Sequence, residues 1–264
     1  MRRADAKERQ ENRAKPTAVE LSLGEAKGRL EHEGTADVWI EISAADLRCL
    51  TSKRPPRVAE VYRKALVDAP EPPRVLVFIG HMIDAPGRAK PRFPPDKEEV
   101  ARQEIRKAVE AEQRRPGGVA FGIAGGASGG DVLFHEICGE LGIPTRLFLA
   151  LPKGQFIQES VQPAGGDWIE RFDRLTEKLP VRVLAHSKEL PSWLAEKPDY
   201  GIWQRNNLWM LHNALAEGGE NVTLIALWNG EEGDGPGGTG DLVERARARN
   251  ARTVVLNTRT LFGT

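Results

Sequence analysis

Val222-Thr223-Leu224-Ile225-Ala226-Leu227-Trp228, followed at once by the loop that leads to Gly235-Pro236-Gly237-Gly238-Thr239-Gly240-Asp241-Leu242-Val243-Glu244, decides the fold. The first stretch is apolar at all but one position, as in a strand buried on both faces of a parallel sheet. The second is a glycine-rich turn that runs into a helical pattern, Leu242 to Arg249. Strand, glycine turn and helix in that order make part of a βαβ unit. A turn of this kind can also present backbone N–H groups at the positive end of a helix, where phosphate is held. Pro236, Gly237, Gly238, Thr239 and Gly240 are therefore candidate ligand contacts. Glu244, about one turn inside the helix, can look back toward whatever the loop holds.

The same alternation extends back along the chain. Arg74 to Ile79 (RVLVFI), Val119 to Ala124, Thr145 to Leu151, Val181 to Ala185, Val222 to Trp228 and Thr253 to Leu256 read as strands. Lys97 to Gln113, Asp131 to Leu141, Trp168 to Leu179, Tyr200 to Ala216 and Leu242 to Arg249 read as helices. The expected fold is α/β: a Rossmann-like, doubly wound and mostly parallel sheet over residues 74–264, with helices on both faces. Ligands in such sheets sit beyond the carboxyl ends of the strands.

Before this domain the pattern differs. Residues 1–17 are charged and poor in apolar residues, and are expected to be a disordered tail. Residues 18–70 read as mainly helical, with one face from Leu21, Leu23, Ala26 and Leu30 and another from Val58, Val61, Tyr62, Ala65 and Leu66. Trp39-Ile40-Glu41-Ile42 fits either a strand or a helix start. Pro70-Glu71-Pro72-Pro73 marks the boundary.

Composition narrows the partners. With 38 basic and 38 acidic residues in 264, the net charge is zero, which disfavours a nucleic-acid surface. The two cysteines, Cys49 and Cys138, have no metal-like spacing, so neither a disulfide framework nor a metal site is expected. No apolar run approaches the roughly 20 residues of a spanning helix, and a cytoplasmic protein without a membrane partner is expected.

Three further segments adjoin strand ends. Gly80, His81, Asp84, Arg88 and Arg92 follow the first strand; Gly80 allows close backbone approach, and the polar groups could meet a ribose or phosphate. Gly125, Gly126, Ser128, Gly129, Gly130 and Asp131 form a second glycine-rich turn. It is neither a Walker A loop nor a G-x-G-x-x-G fingerprint, and its glycines suit a phosphate cradle. Asp131 reads chiefly as an N-cap. His135 and Cys138, within the next helix, read as packing or surface residues. On the helix beginning near Tyr200, Trp203 and Met210 read as a packed face. Arg205 and Asn206 fall on early turns from which a side chain can reach the cleft, and an Arg there can hold a phosphate bidentately. Glu231, Glu232 and Asp234 read as a solvated acidic loop whose spacing fixes no metal geometry.

The order of these motifs resembles the LOG-type, or SLOG, superfamily: a strand ending in Gly, a glycine loop, an Arg-bearing helix, then P-G-G-x-G-x-x-x-E. Pro236, Gly237, Gly238, Gly240 and Glu244 match the last motif, with Asp241 where that family has Thr. Arg205 falls where the family's phosphoribohydrolases carry their active-site Arg, and Asn206 replaces the usual Lys. G-H-M-I-D-x-P-G-R and D-G-P-G-G-T are closer still to an uncharacterised domain at the end of bacterial tetratricopeptide-type proteins. Residues 18–70 are similar to a shortened remnant of such an array.

The resemblance implies one of two functions. The first is a sensor of an adenine, NAD-derived or cyclic nucleotide, acting in bacterial defence or signalling. The second is a phosphoribohydrolase cleaving the N-glycosidic bond of a nucleoside monophosphate, with Glu244 and Arg205 catalytic. Asn206 and Asp241 favour the sensor, and the retained Glu244 favours the enzyme. The DNA-processing branch of the superfamily is disfavoured by the neutral charge. No cofactor beyond the nucleotide ligand is implied. A homodimer or larger assembly is expected, with residues 18–70 available to a protein partner.

Overall fold

The computed structural model of the chain describes residues 21–26, 38–51, 55–67, 71–197, 200–231 and 238–263. The charged segment 1–17, Leu30, and the ligand candidates Pro236 and Gly237 lie outside these residues. The chain divides into two compact units between Glu71 and Pro72, at the proline-rich segment.

In the first unit, residues 21–26 form a short helix, α1. Helices α2 (Val38–Thr51) and α3 (Pro55–Val67) follow. The ambiguous stretch 39–42 is thus helical. Ala45 is fully buried, and the Tyr62 hydroxyl donates to Asp46 Oδ1, tying α3 to α2.

The second unit is a six-stranded sheet in the order β4-β3-β2-β1-β5-β6. Its strands are β1 (Arg74–Gly80), β2 (Val119–Ala124), β3 (Thr145–Leu149), β4 (Val181–Val183), β5 (Val222–Trp228) and β6 (Arg252–Asn257). Every pairing between them is parallel, and the fold is Rossmann-like and doubly wound. The chain steps outward from β1 through β2 and β3 to β4, then returns to the other side of β1 as β5. That reversal makes the carboxyl ends of β1 and its neighbours the place where a crevice opens.

The continuous apolar run of β1 serves two cores at once. Leu76 and Phe78 face one layer, with Ile105 of α4 (Glu98–Gln113), Leu133 and Phe134 of α5 (Gly130–Glu140) and Phe172 of α7 (Trp168–Lys178). Val75, Val77 and Ile79 face the other, with Met210, Leu211 and Ala214 of α9 (Ile202–Leu215) and Leu242, Val243 and Ala246 of α10 (Thr239–Arg247). A strand covered by helices on both faces has no polar side, so alternation disappears from its sequence. The Phe78 and Phe134 rings stack at 5.0 Å.

Three helices fall where the sequence reading placed none: α6 (Lys153–Ser160), α8 (Ser192–Ala195) and α11 (Thr258–Phe262). The expected strand 145–151 ends at Leu149, because Ala150 and Leu151 are fully buried without continuing the ladder.

Candidate functional site

Between β2 and α5 the chain makes a tight loop, three of whose backbone donors are bonded within the protein. Ser128 N–H donates to Ser160 O (2.8 Å), Gly130 N–H to His81 O (3.3 Å), and Ala127 N–H to Asp131 Oδ2 (3.3 Å). An amide already bonded inside the protein is not offered to a phosphate. The amides of Ala127, Ser128 and Gly130 are thus engaged within the protein, and the loop's glycines allow close packing. A Cβ on Gly125 would lie 2.5 Å from Asp131 Oδ2, and one on Gly126 2.6 Å from the Phe172 ring. Gly130 would strike Phe78 at 2.9 Å. Gly129 is the strictest case, with φ +99° and its Cβ position 2.6 Å from Ile83 N, beside the antiparallel bridge Met82–Gly129.

Asp131 takes one of this loop's amide donors. Gly129, not Asp131, stands at the N-cap of α5. The Asp131 carboxyl reaches back and accepts from the N–H groups of Ala127 and Gly80. Burial pushes this carboxyl up to about 7, against the lowering effect of those two hydrogen bonds. The residue as a whole keeps partial contact with solvent, since it also lines the cavity described below.

The loop after β1 is built as a brace. His81 is buried; its N–H donates to Leu227 O (3.1 Å), and its Nε2 accepts from Asn229 N–H (3.2 Å). It joins the end of β1 to the end of β5. Asp84, also buried, accepts at Oδ2 from the N–H groups of Arg92 (2.8 Å) and Phe93 (2.9 Å) and pairs with Arg88 Nε at 3.2 Å. Arg88 donates further to Lys90 O (3.0 Å). His81, Asp84 and Arg88 thus hold the loop's own shape, and none of them lines the cavity; Gly80 and Arg92 do.

That cavity, of about 390 Å³, lies over the carboxyl ends of β1 and β2. The end of β1 contributes Gly80, the loops contribute Met82, Arg92 and Gly125, and the first turn of α5 contributes Asp131. α6 contributes Phe156 and Glu159, and α9 contributes Trp203, Asn206, Asn207 and Met210. The spacing 203, 206, 207, 210 is one helical face. Arg205 is 100° away from Asn206 around α9, and it does not line the cavity. Trp203 and Met210, expected only to pack, are lining residues. Trp203 meets Phe156 edge-on at 5.9 Å between centroids. Asn206 is buried and its Nδ2 donates to Phe148 O (3.4 Å), while its Oδ1 has no partner. Glu159 pairs with Lys188 at 2.5 Å.

At the far side of β5, α10 begins at Thr239, one turn earlier than the sequence pattern suggests. Gly238 stands at its N-cap and Thr239 is buried. Gly240 packs under Trp228, its Cβ position 3.1 Å from that ring. Asp241, where the LOG motif has Thr, pairs with Arg245 at 2.8 Å. Glu244 is exposed and does not line the cavity. The two candidate catalytic side chains, Arg205 and Glu244, are therefore both outside its walls. Among the described residues, no group of three or more His, Cys, Asp or Glu could hold a metal ion.

His135 and Cys138 are structural. The Gly125 carbonyl can only accept, so His135 Nε2–H donates to it (2.9 Å), leaving Nδ1 to accept from the Thr145 hydroxyl (2.9 Å). Burial lowers this imidazole to about 4 and raises the Cys138 thiol to about 12. Cys49 is exposed. A maleimide should therefore label one thiol in the native protein, Cys49, and reach Cys138 only on unfolding; rapid native labelling of both, read by peptide mass, would contradict this placement.

Comparison with known proteins gives little to set beside the geometry. No protein-family model and no curated protein matches the chain. Among solved structures, that of Streptococcus suis SuiB is similar at 13% identity with a TM-score of 0.26, over 90% of this chain and 61% of that one. The chain thus spans less than two thirds of SuiB. The fold assignment stands on strand order and register. No described helix is long and apolar enough to cross a membrane.

Proposed function

We propose that the α/β unit binds a nucleotide or a nucleotide-derived signal as a sensor module. The observation that carries this reading is the cavity over β1 and β2. Its volume falls within the roughly 300–1,000 Å³ of small-molecule sites. One wall carries Trp203 and Phe156, suited to stacking a flat ring, and Arg92 supplies a cation for an anionic group. Self-assembly into a dimer or larger particle, and recruitment of a protein through residues 18–70, belong to the same proposal as the sensor's output.

The phosphoribohydrolase reading, with Glu244 and Arg205 catalytic, is less well supported, since neither side chain lines the cavity. Incubating the protein with nucleoside monophosphates, NAD, ADP-ribose and cyclic nucleotides, followed by chromatography and calorimetry, tests the choice. The expected result is an intact panel with saturable binding of at least one member. Trp203→Ala should weaken that binding by roughly 10-fold or more, the value of one lost base–aromatic stack. Free base accumulating with time would overturn the sensor reading in favour of hydrolysis.

A further inference from the structure

Resting on the self-assembly proposed above, we infer that its surface is the free edge of β6, where a second copy of the chain adds its own β6 antiparallel about a two-fold axis through Val255. β6 is the last strand of the sheet and, among the described residues, pairs with β5 alone. A strand with one neighbour leaves half of its backbone N–H and C=O groups outside the ladder, a template for another strand. None of its six residues is buried, whereas β1 and β5 are buried at every residue but the last. The opposite edge, β4, has three residues, about 10 Å of strand against about 20 Å for β6, too little to hold a partner. β6 also lacks the features that keep edges apart. Arg252-Thr253-Val254-Val255-Leu256-Asn257 contains no Pro and no Lys, and its register against β5 runs without a bulge. Its one charge, Arg252, is turned to Glu112 of its own chain at 2.9 Å, while Val255 is 36% exposed.

The strand is complementary to itself. With Val255 on the axis, Val255 meets its own copy, Val254 meets Leu256 and Thr253 meets Asn257, and no like charges stand opposite one another. The neighbouring helix agrees. α10 packs on β5 and β6, and Arg247 donates from it to Thr253 Oγ1 at 3.0 Å. Its first turn carries Asp241, and its last turn carries Arg245 and Arg247. A two-fold axis that sets the strands antiparallel sets the two copies of α10 antiparallel as well. The acidic beginning of each then lies on the side of the other's basic end, and the helix dipoles oppose.

Position 255 gives a direct test, because the axis sets it against itself. The mass of the full chain in solution is measured by sedimentation over a range of concentrations. The parent should run at the mass of two chains. Val255→Lys and Val255→Asp each place like charges on the axis, and each should run at the mass of one chain, with dissociation strengthened roughly 100-fold or more. An equimolar mixture of the two variants sets opposite charges together and should return to the mass of two chains, a recovery that unfolding of either variant could not give. Variants that keep the parent's dimer, or a mixture that stays at the mass of one chain while the parent is dimeric, would overturn the β6 pairing and leave self-assembly to another surface. A parent that runs as one chain at every concentration would overturn self-assembly as well. The nucleotide reading is decided separately, by the panel above.

Discussion

Glu112→Ala is expected to destabilise the α/β unit by about 3–5 kcal/mol, the usual cost of removing one partner from a buried ion pair. Glu112 is 1% exposed near the end of α4. Its carboxylate accepts from Thr223 Oγ1 and from Arg252 Nε, both at 2.9 Å, and faces Arg74 Nε at 3.8 Å. One side chain thus gathers the first residue of β1, the second of β5 and the first of β6. Arg252 is half exposed and can return to water, whereas Arg74 is 7% exposed and would lose the buried carboxylate it faces. Arg252→Ala should therefore cost at most about 1 kcal/mol, as exposed pairs do. Urea melts of the two variants would show the asymmetry. A Glu112→Ala protein within about 1 kcal/mol of the parent would mean that water reaches Arg74 and that the site is an ordinary surface pair.

The second large effect depends on pH. Asp131 rises from 3.8 to about 7 on folding because burial penalises its charge. Between those values the folded state holds a proton that the unfolded chain releases, so stability is greatest below about pH 4 and is lost as pH climbs to about 7. His135 acts in the opposite sense: its pKa falls from 6.5 to about 4, so its contribution is present above 6.5 and is lost as pH drops. The parent's profile mixes the two. The difference between the parent and Asp131→Asn removes the histidine and isolates the carboxyl. That difference should be near zero at pH 4 and should reach about 2–4 kcal/mol in favour of Asn at pH 8. A variant less stable than the parent by the same amount at both pH values would show that Asp131 is held as a charged structural acceptor. A residue that weakens the fold at neutral pH and lines the cavity fits the expectation that sites are kept at the expense of stability.

The central sheet was legible because burial on both faces leaves a plain mark. β2 and β5 fall on the residues expected, and β1 differs by Gly80 alone. The same signal misled at Ala150 and Leu151, where an apolar run reports burial and not pairing. α6 was invisible because KGQFIQES offers two apolar residues after a proline that reads as a stop. The glycine loop shows a deeper limit. Glycines mark close backbone approach, but composition does not say whether the amides turn toward a ligand or toward the protein. Here Asp131, four residues downstream of Ala127, takes the donor itself. On α9 the choice between Arg205 and its neighbours was open to helical spacing. Trp203, Asn206 and Met210 share a face that Arg205 does not.

The strand order carries a consequence for how the protein is made. β1 to β4 are laid down in sequence, each beside the last, so this half of the sheet can zip as the chain leaves the ribosome. The cavity also needs α9, and β1 is flanked on its second side only when β5 arrives, pairing Val75 with Val222. Until α9 packs on the sheet, Val75, Val77 and Ile79 present a bare apolar surface. The cavity therefore arises late in synthesis, and a nascent chain released before α9 emerges has strands but lacks one of the cavity's walls.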